Sequence, residues 1–236
     1  MNAENSTDAQ YTVTVDLQRR RQMSNALRRS SLLLALFALN TLLVTQAGWY
    51  RSIDEKIGDR DALRLTGINR HIVLWLDNLG LRGLSATLLL IAALAISIRF
   101  KSWRPLNLAF LSLIGLNVVV GALKIIIGRS KPLDGVDNFD VSGIGSYPSG
   151  HAANAILTWG VLAYLIYRYT HRAIHRATFL AVTVSIITGV VAVISLYRNT
   201  HWLSDLIGGV LIGAALLVLV MAVDRFVPSA KQPVQP

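Results

Sequence analysis

Long uncharged runs alternate along this chain with short segments that hold the charged residues. Each run is 16 to 21 residues long. A membrane-spanning helix needs about 20 mostly apolar residues, with a range of about 17–25. The two shortest runs reach that length if flanking arginines extend their charged heads to the interface. The pattern therefore predicts six transmembrane helices, at Ser30–Tyr50, Gly83–Ile98, Pro105–Leu123, Ala152–Tyr167, Ala177–Tyr197 and Leu206–Val223.

The predicted fold class is all-α, a polytopic bundle of six transmembrane helices. A soluble helical protein would alternate buried helices with amphipathic surface helices, and the sequence has no such pattern. We divide the chain into a basic N-terminal segment (1–29), a membrane domain (30–227) and a tail (228–236). The first 22 residues are polar and are predicted to lack structure. Gln18–Ser30 is either an interfacial helix on anionic lipid or a solvated segment, and Leu63–Leu81 is a candidate helix lying along the membrane.

Composition agrees with a membrane protein. Hydrophobic residues make up 53% of the chain and charged residues only 15%, against about 25% charged residues in a soluble domain. The chain has no cysteine, which excludes disulfides, thiol catalysis and cysteine-ligated metals.

The net charge of +10 is better explained by membrane topology than by nucleic-acid binding. An even number of spans puts both termini on one side, which then holds 13 of the 23 Lys and Arg residues. The two short loops on that side, around Arg99–Arg104 and Arg168–Arg176, contain no acidic residue. The positive-inside rule therefore predicts that both termini are cytoplasmic and that the protein lies in the cytoplasmic membrane. We expect no nucleic-acid partner.

Polar residues on the external side gather at three span ends: Lys124–Pro132, Tyr147–His151 and Ser195–Asp205. The first of these segments carries three cations, Lys124, Arg129 and Lys131. Cations at span ends are often plain interfacial anchors, so this segment alone is weak support for a site.

The second segment, Pro148-Ser149-Gly150-His151, precedes the fourth span. Proline is favoured in the first helical turn, and the free N–H groups of a helix N-terminus bind anions. Gly150 allows an anion to approach the backbone, and Ser149 can add a hydrogen bond. The alternative is a simple helix cap with an incidental histidine.

In the third segment His201 and Asp205 are four residues apart, a spacing that puts them on one face of a helix. A carboxylate that accepts the Nδ1–H of an imidazole leaves Nε2 free as a nucleophile or base. A polar pair at the interface is the alternative, although ionisable groups at span level are costly and usually functional.

Together the three segments can form a phosphate site. Cations and a helix N-terminus would neutralise a phosphate dianion, one histidine could attack phosphorus, and the other could protonate the leaving oxygen. Such a site requires no metal ion, and we expect no cofactor.

The three segments resemble the signature of the type-2 phosphatidic acid phosphatase superfamily, K-x6-R-P, P-S-G-H and S-R-x5-H-x3-D. The resemblance runs closely from Lys124 to Asp205. It implies that His201 is the nucleophile forming a phosphohistidine, that Asp205 orients it, and that His151 is the general acid. It also implies phosphate binding by Lys124, Ser149 and the amides of Gly150 and His151, without a metal ion.

Two positions depart from the signature. Lys131 stands in place of an arginine, which keeps the charge but loses the bidentate fork. More seriously, Ile194-Ser195 stands in place of Ser-Arg. Arg198, one helical turn further on, either replaces the missing arginine as a phosphate ligand or is a surface residue.

The sequence thus predicts a membrane phosphatase whose site faces the outside, at headgroup depth, and whose substrate is a lipid phosphate or a polyprenyl diphosphate. A lipid phosphotransferase and a catalytically weak lipid-binding homologue are the alternatives, and a transporter is a weaker one. The expected partners are the substrate lipid and the bilayer.

Overall fold

The structure, a computed structural model, describes residues 3–58, 69–170 and 174–227, without the side chains of 3–15, 170 and 174–176. Its α-helices are α1 (Ala3–Gln46), α2 (Gly48–Gly58), α3 (Arg70–Asp77), α4 (Arg82–Arg99), α5 (Arg104–Ile127), α6 (Gly150–Asn154), α7 (Gly160–Thr170), α8 (Ile174–Tyr197) and α9 (Leu203–Phe226). A π turn, Ala155–Trp159, joins α6 to α7. A short 3-10 turn covers Pro132–Asp134.

The predicted all-α membrane fold is confirmed. The described residues contain no strand, and five of their helices are long and apolar enough to cross a membrane. The first predicted span, Ser30–Tyr50, runs past the end of α1 at Gln46 into α2. The second, third, fifth and sixth predicted spans each lie within one of these five helices, whereas the fourth, Ala152–Tyr167, does not. That span lies in the helical stretch Gly150–Thr170, which the π turn divides into two short helices. The count of six therefore stays a prediction.

The N-terminal region differs from the prediction of an unstructured segment. Helix α1 begins at Ala3 and continues without a break to Gln46, so Gln18–Ser30 is part of a longer helix. No glycine or proline interrupts residues 3–46, and these are the residues that most strongly end a helix. The candidate helix Leu63–Leu81 is described only from residue 69, where α3 occupies Arg70–Asp77. Residues 59–68 and the 228–236 tail lie outside the described residues.

The stretch Gly150–Thr170 lies at the centre of the bundle, in contact with α4, α5, α8 and α9, while α1 packs along α9. Glycines on α9 set its distance from α6. A Cβ on Gly209 would lie 2.4 Å from the carbonyl oxygen of Ser149, and one on Gly213 would lie 2.7 Å from that of Ala153. Small residues thus let two helix backbones approach closely. This packing puts the beginning of α9 against the beginning of α6.

The other end of the bundle is joined by a buried carboxylate, Asp224. It pairs with the Nε of Arg104 at 2.6 Å and accepts a hydrogen bond of 2.6 Å from the hydroxyl of Tyr164. These contacts connect α5, α7 and α9. A buried acid is stable only when it is paired and hydrogen-bonded, so this cluster is structural.

Candidate active site

The two histidines of the predicted site lie side by side. The ring centroids of His151 and His201 are 5.7 Å apart at an interplanar angle of 63°. His151 is in the first turn of α6, and His201 lies between α8 and α9, just before the first residue of α9, Leu203. The four-residue spacing predicted that His201 and Asp205 share one helix face. This is wrong for His201, which precedes the helix. Asp205 is in the first turn of α9 and reaches back toward His201.

Asp205 uses both carboxylate oxygens. Oδ2 lies 3.5 Å from Nδ1 of His201 and accepts a 3.2 Å hydrogen bond from the backbone N–H of Trp202, while Oδ1 pairs with Arg129 at 2.8 Å. A carboxylate on Nδ1 favours the tautomer in which the lone pair is on Nε2. Burial lowers the pKa of His201 from its ordinary value, and the opposing attraction of Asp205 does not cancel this effect. The ring is therefore neutral at pH 7 and can act as a nucleophile.

The segment before α6 caps the helix, but not as predicted. Ser149 is the N-cap, and its Oγ accepts a 3.3 Å hydrogen bond from the N–H of Ala152. Pro148 lies one residue before the cap, after a cis peptide bond, rather than in the first turn. The cap leaves the N–H groups of Gly150 and His151 at the helix end, where partial positive charge favours an anion. The Ser149 hydroxyl proton remains available to a ligand.

Lys124 joins the first segment to this helix end. Its Nζ donates hydrogen bonds of 2.8 Å to the carbonyl oxygens of Gly145 and Ser146, and the side chain is buried. A Cβ on Gly150 would lie 3.6 Å from the Cε of Lys124. Lys131 is exposed and close enough to His201 and Lys124 for its charge to act on both. All three predicted segments thus meet at one end of the bundle.

The sequence grouped Arg129 with the cations that could face a phosphate. In the structure its charge is instead compensated by acidic residues. Its side chain is fully buried between three carboxylates. The pairs to Asp54, Asp137 and Asp205 are each 2.8 Å long. Its guanidinium also lies over the ring of Trp202, with 5.3 Å between Cζ and the ring centroid. Arg129 therefore holds Asp205 through the carboxylate oxygen that does not face His201, and it stabilises the loop that carries His201.

Arg198 also has an acidic partner. Its Nη1 donates to Oδ2 of Asp77, the last residue of α3, and the same oxygen lies 4.0 Å from Nε2 of His151. Arg198 is thus close to the site, but its charge is neutralised by Asp77. Its role as a phosphate ligand stays a prediction.

Sequence reasoning missed Asp54, Asp77 and Arg82. Asp54 is buried and accepts hydrogen bonds from Arg129 and from the N–H and Oγ of Ser204. Asp77 contacts Arg198, and Arg82 lies near Gly150. The only signal in the sequence was their position near the predicted span ends, and it is weak because charged residues are common at the membrane boundary. The partners could not be read from one sequence, because Arg129 and Asp54 are 75 residues apart.

Comparison with known proteins decides the family. The model of the PAP2 superfamily matches residues 105–227, which include all three segments. The chain belongs to the PAP2 superfamily. It is similar to phosphatidylglycerophosphatase B of Bacillus subtilis (strain 168), with 26% identity over 87 residues, which is 37% of this chain and 43% of that protein. The matched part is therefore less than half of that relative's length.

The fold has a counterpart in a solved structure. It is the crystal structure of a transmembrane PAP2-type phosphatidylglycerolphosphate phosphatase from Bacillus subtilis. The TM-score is 0.74 at 22% identity, and the match covers 83% of this chain and 96% of that one. The resemblance to this superfamily drawn from the sequence is therefore confirmed, and the bundle is a transmembrane PAP2 fold.

Proposed function

We propose that this PAP2 protein hydrolyses a lipid phosphate through a covalent phosphohistidine. One observation carries the proposal: two adjacent histidines have different partners. His201 has a carboxylate on Nδ1, which favours the lone pair on Nε2, while His151 stands at a helix N-terminus beside Lys124. Such a difference is what a division into nucleophile and general acid requires.

In the proposed reaction, Nε2 of His201 attacks phosphorus as the bond to the leaving oxygen breaks. His151 gives its proton to that oxygen. A water molecule then attacks the phosphohistidine, His151 accepts a proton from this water, and inorganic phosphate leaves with His201 restored. Phosphoryl transfer depends mainly on positioning and charge neutralisation. Lys124, Lys131, Ser149 and the amides of Gly150 and His151 would supply these, with Arg198 as a further candidate.

Placement at a span end supports a lipid as substrate, because its headgroup can reach the site while its tails stay in the bilayer. The proposed site faces outward from the cytoplasmic membrane, as the distribution of Lys and Arg predicts. Phosphatidic acid, phosphatidylglycerol phosphate and polyprenyl diphosphate are the candidate substrates.

The test is phosphate release by the purified protein from these three lipids in detergent, without an acceptor lipid. We expect release by the wild type, background release by His201→Ala, and wild-type release by the control His71→Ala, which alters an exposed histidine of α3. An acid-labile phosphoryl group on the wild-type protein, absent from His201→Ala, would identify the intermediate. Equal release by wild type and His201→Ala would refute the proposal. Release that required an acceptor lipid would favour the phosphotransferase.

A further inference from the structure

The proposed phosphate site lacks the arginine that the superfamily signature puts six residues before His201. Ser195 occupies that position, fully buried, and its Oγ has no hydrogen-bond partner among the described residues. A serine hydroxyl is neutral and too short to replace a guanidinium. The nearby Arg198 is held by Asp77. Neither residue therefore offers an uncompensated positive charge to a phosphate.

Arg82 is a cation that does reach the site, from a different part of the chain. It is the first residue of α4, and its side chain is exposed. A Cβ on Gly150 would lie 3.6 Å from Nη2 of Arg82, the same distance as from Cε of Lys124. The guanidinium and the lysine therefore stand together beside the N-terminus of α6. Arg82 is also close enough to Lys124 for the two charges to repel.

Among the described residues, Arg82 has no acidic partner that would compensate its charge. No carboxylate of the described residues pairs with it, unlike Arg129 and Arg198. An anion bound between these two cations at the helix N-terminus would be attracted by both of them. A phosphate dianion has the charge and the oxygen geometry for this position, and arginine matches it with two parallel N–H donors.

The backbone that presents Arg82 is fixed to the same helix. Asn154, at the end of α6, donates a 3.0 Å hydrogen bond to the carbonyl oxygen of Gly80 and one of 2.7 Å to Oγ of Ser85. The indole N–H of Trp159 donates to the carbonyl oxygen of Leu79 at 2.9 Å. The turn before Arg82 is therefore held at a set distance from α6. The backbone from which the Arg82 side chain extends is thus preorganised, which favours transition-state stabilisation.

Close packing makes this turn part of the site. A Cβ on Gly80 would lie 3.3 Å from the Cβ of His151 and 2.6 Å from Cγ1 of Val191. Only a glycine fits between the histidine and α8 without displacing one of them. The turn thus contacts the proposed general acid on one side and presents Arg82 on the other.

We infer that Arg82 is a phosphate-binding residue of this enzyme and takes over the charge of the arginine missing at Ser195. The inference rests on the proposed function and deepens it. Arg82 would donate to a non-bridging phosphoryl oxygen, on the side of the phosphate next to Lys124 and Gly150. The fourth ligand-bearing segment of this chain is then the beginning of α4, outside the three segments of the signature.

The test compares Arg82→Ala and Arg82→Lys with a matched control, Arg70→Ala, which removes an exposed arginine at the start of α3. We expect Arg82→Ala to lower kcat/KM for phosphatidic acid by about 10²–10³-fold, the usual cost of one transition-state donor. Arg82→Lys should recover part of this loss, because it keeps the charge and loses the fork. Arg70→Ala should equal the wild type.

A second measurement does not depend on turnover. Calorimetric binding of inorganic phosphate to the purified protein should weaken by about 10–100-fold in Arg82→Ala, as for the loss of one charged hydrogen bond, and should be unchanged in Arg70→Ala. Equal phosphate binding and equal kcat/KM for Arg82→Ala and Arg70→Ala would overturn the inference, even with an active wild type and an inactive His201→Ala. If His201→Ala instead matched the wild type, the proposed function would fail. Phosphate binding would then decide the role of Arg82 separately.

Discussion

The buried guanidinium of Arg129 gives the sharpest test of how the site is built. Its Nε and Nη2 each donate at 2.8 Å to Asp137, Nη2 also donates to Asp54, and Nη1 donates to Asp205 and Ser204 at 2.8 and 2.7 Å. Arg129→Met keeps most of the side-chain volume and removes every one of these donors. Three buried carboxylates would then remain without their common cation.

The expected loss is large. Breaking a buried ion pair by removing one partner costs about 3–5 kcal/mol, because the remaining charge is left uncompensated. For a chain of this size, 1 kcal/mol corresponds to about 2–4 °C in Tm, so Arg129→Met should unfold about 6–20 °C below the wild type. Arg129→Lys should fall between the two, since it keeps the charge and loses most of the donors.

Thermal unfolding of the purified protein in detergent, followed by tryptophan fluorescence, measures this difference. Arg70→Met is the control, an exposed arginine for which a change within about 0.5 kcal/mol is usual. If Arg129→Met and Arg70→Met unfolded at the same temperature, Arg129 would not be the cation that holds these carboxylates, Asp205 included.

The remaining predictions concern the pKa of His201, the role of Arg198 and the membrane topology. In NMR of histidine-labelled protein, His201 should be mostly neutral at pH 6.5, since burial lowers its pKa. Asp205→Asn should lower the pKa of His201 further, because it removes a carboxylate that favours the charged ring. A higher pKa of His201 in Asp205→Asn would contradict this. If Arg198 binds phosphate, Arg198→Ala should lower kcat/KM by about 10²–10³-fold, and an unchanged value would leave Arg198 only as the partner of Asp77. Since the chain has no cysteine, an impermeant maleimide should label Ile144→Cys in intact cells but Lys101→Cys only after permeabilisation, and the reverse pattern would invert the topology.

The membrane helices could be predicted because burial in lipid imposes a long uncharged run on each of them. Most of the observed helices are longer than those runs, but α1 ends at Gln46, four residues before the end of Ser30–Tyr50. Helix α4 extends one residue beyond Gly83–Ile98 at each end, and α9 extends three residues beyond Leu206–Val223 at each end. Charge marks where a chain leaves the apolar layer, whereas a helix continues as long as its backbone hydrogen bonds are favourable. A run of uncharged residues therefore locates a membrane helix but does not fix where the helix begins and ends.

The site could be predicted only in part, since a local motif records contacts within its own segment. The pairing of His201 with Asp205 could be predicted because the two residues are close in sequence, although the pair joins a loop to the first turn of α9 and does not lie on one helix face. The close approach of α9 to α6 also left a signal, two glycines at a spacing of four, Gly209 and Gly213, which is typical of packed membrane helices. The approach of Arg82 to Gly150 left no such signal, because it joins segments that are far apart in sequence.

The charges around the proposed phosphate form two layers with different tasks. In the inner layer Arg129 pairs with Asp54, Asp137 and Asp205, so this layer carries a surplus of negative charge, and Asp205 is the carboxylate that lies against His201. That surplus favours the positive charge that develops on the ring as it attacks phosphorus, but it also repels an incoming dianion. The outer layer consists of the cations Lys124, Lys131 and Arg82. Their attraction for the dianion must outweigh this repulsion before any reaction begins. Removing an outer cation should therefore weaken phosphate binding directly, whereas removing Arg129 should act first on stability.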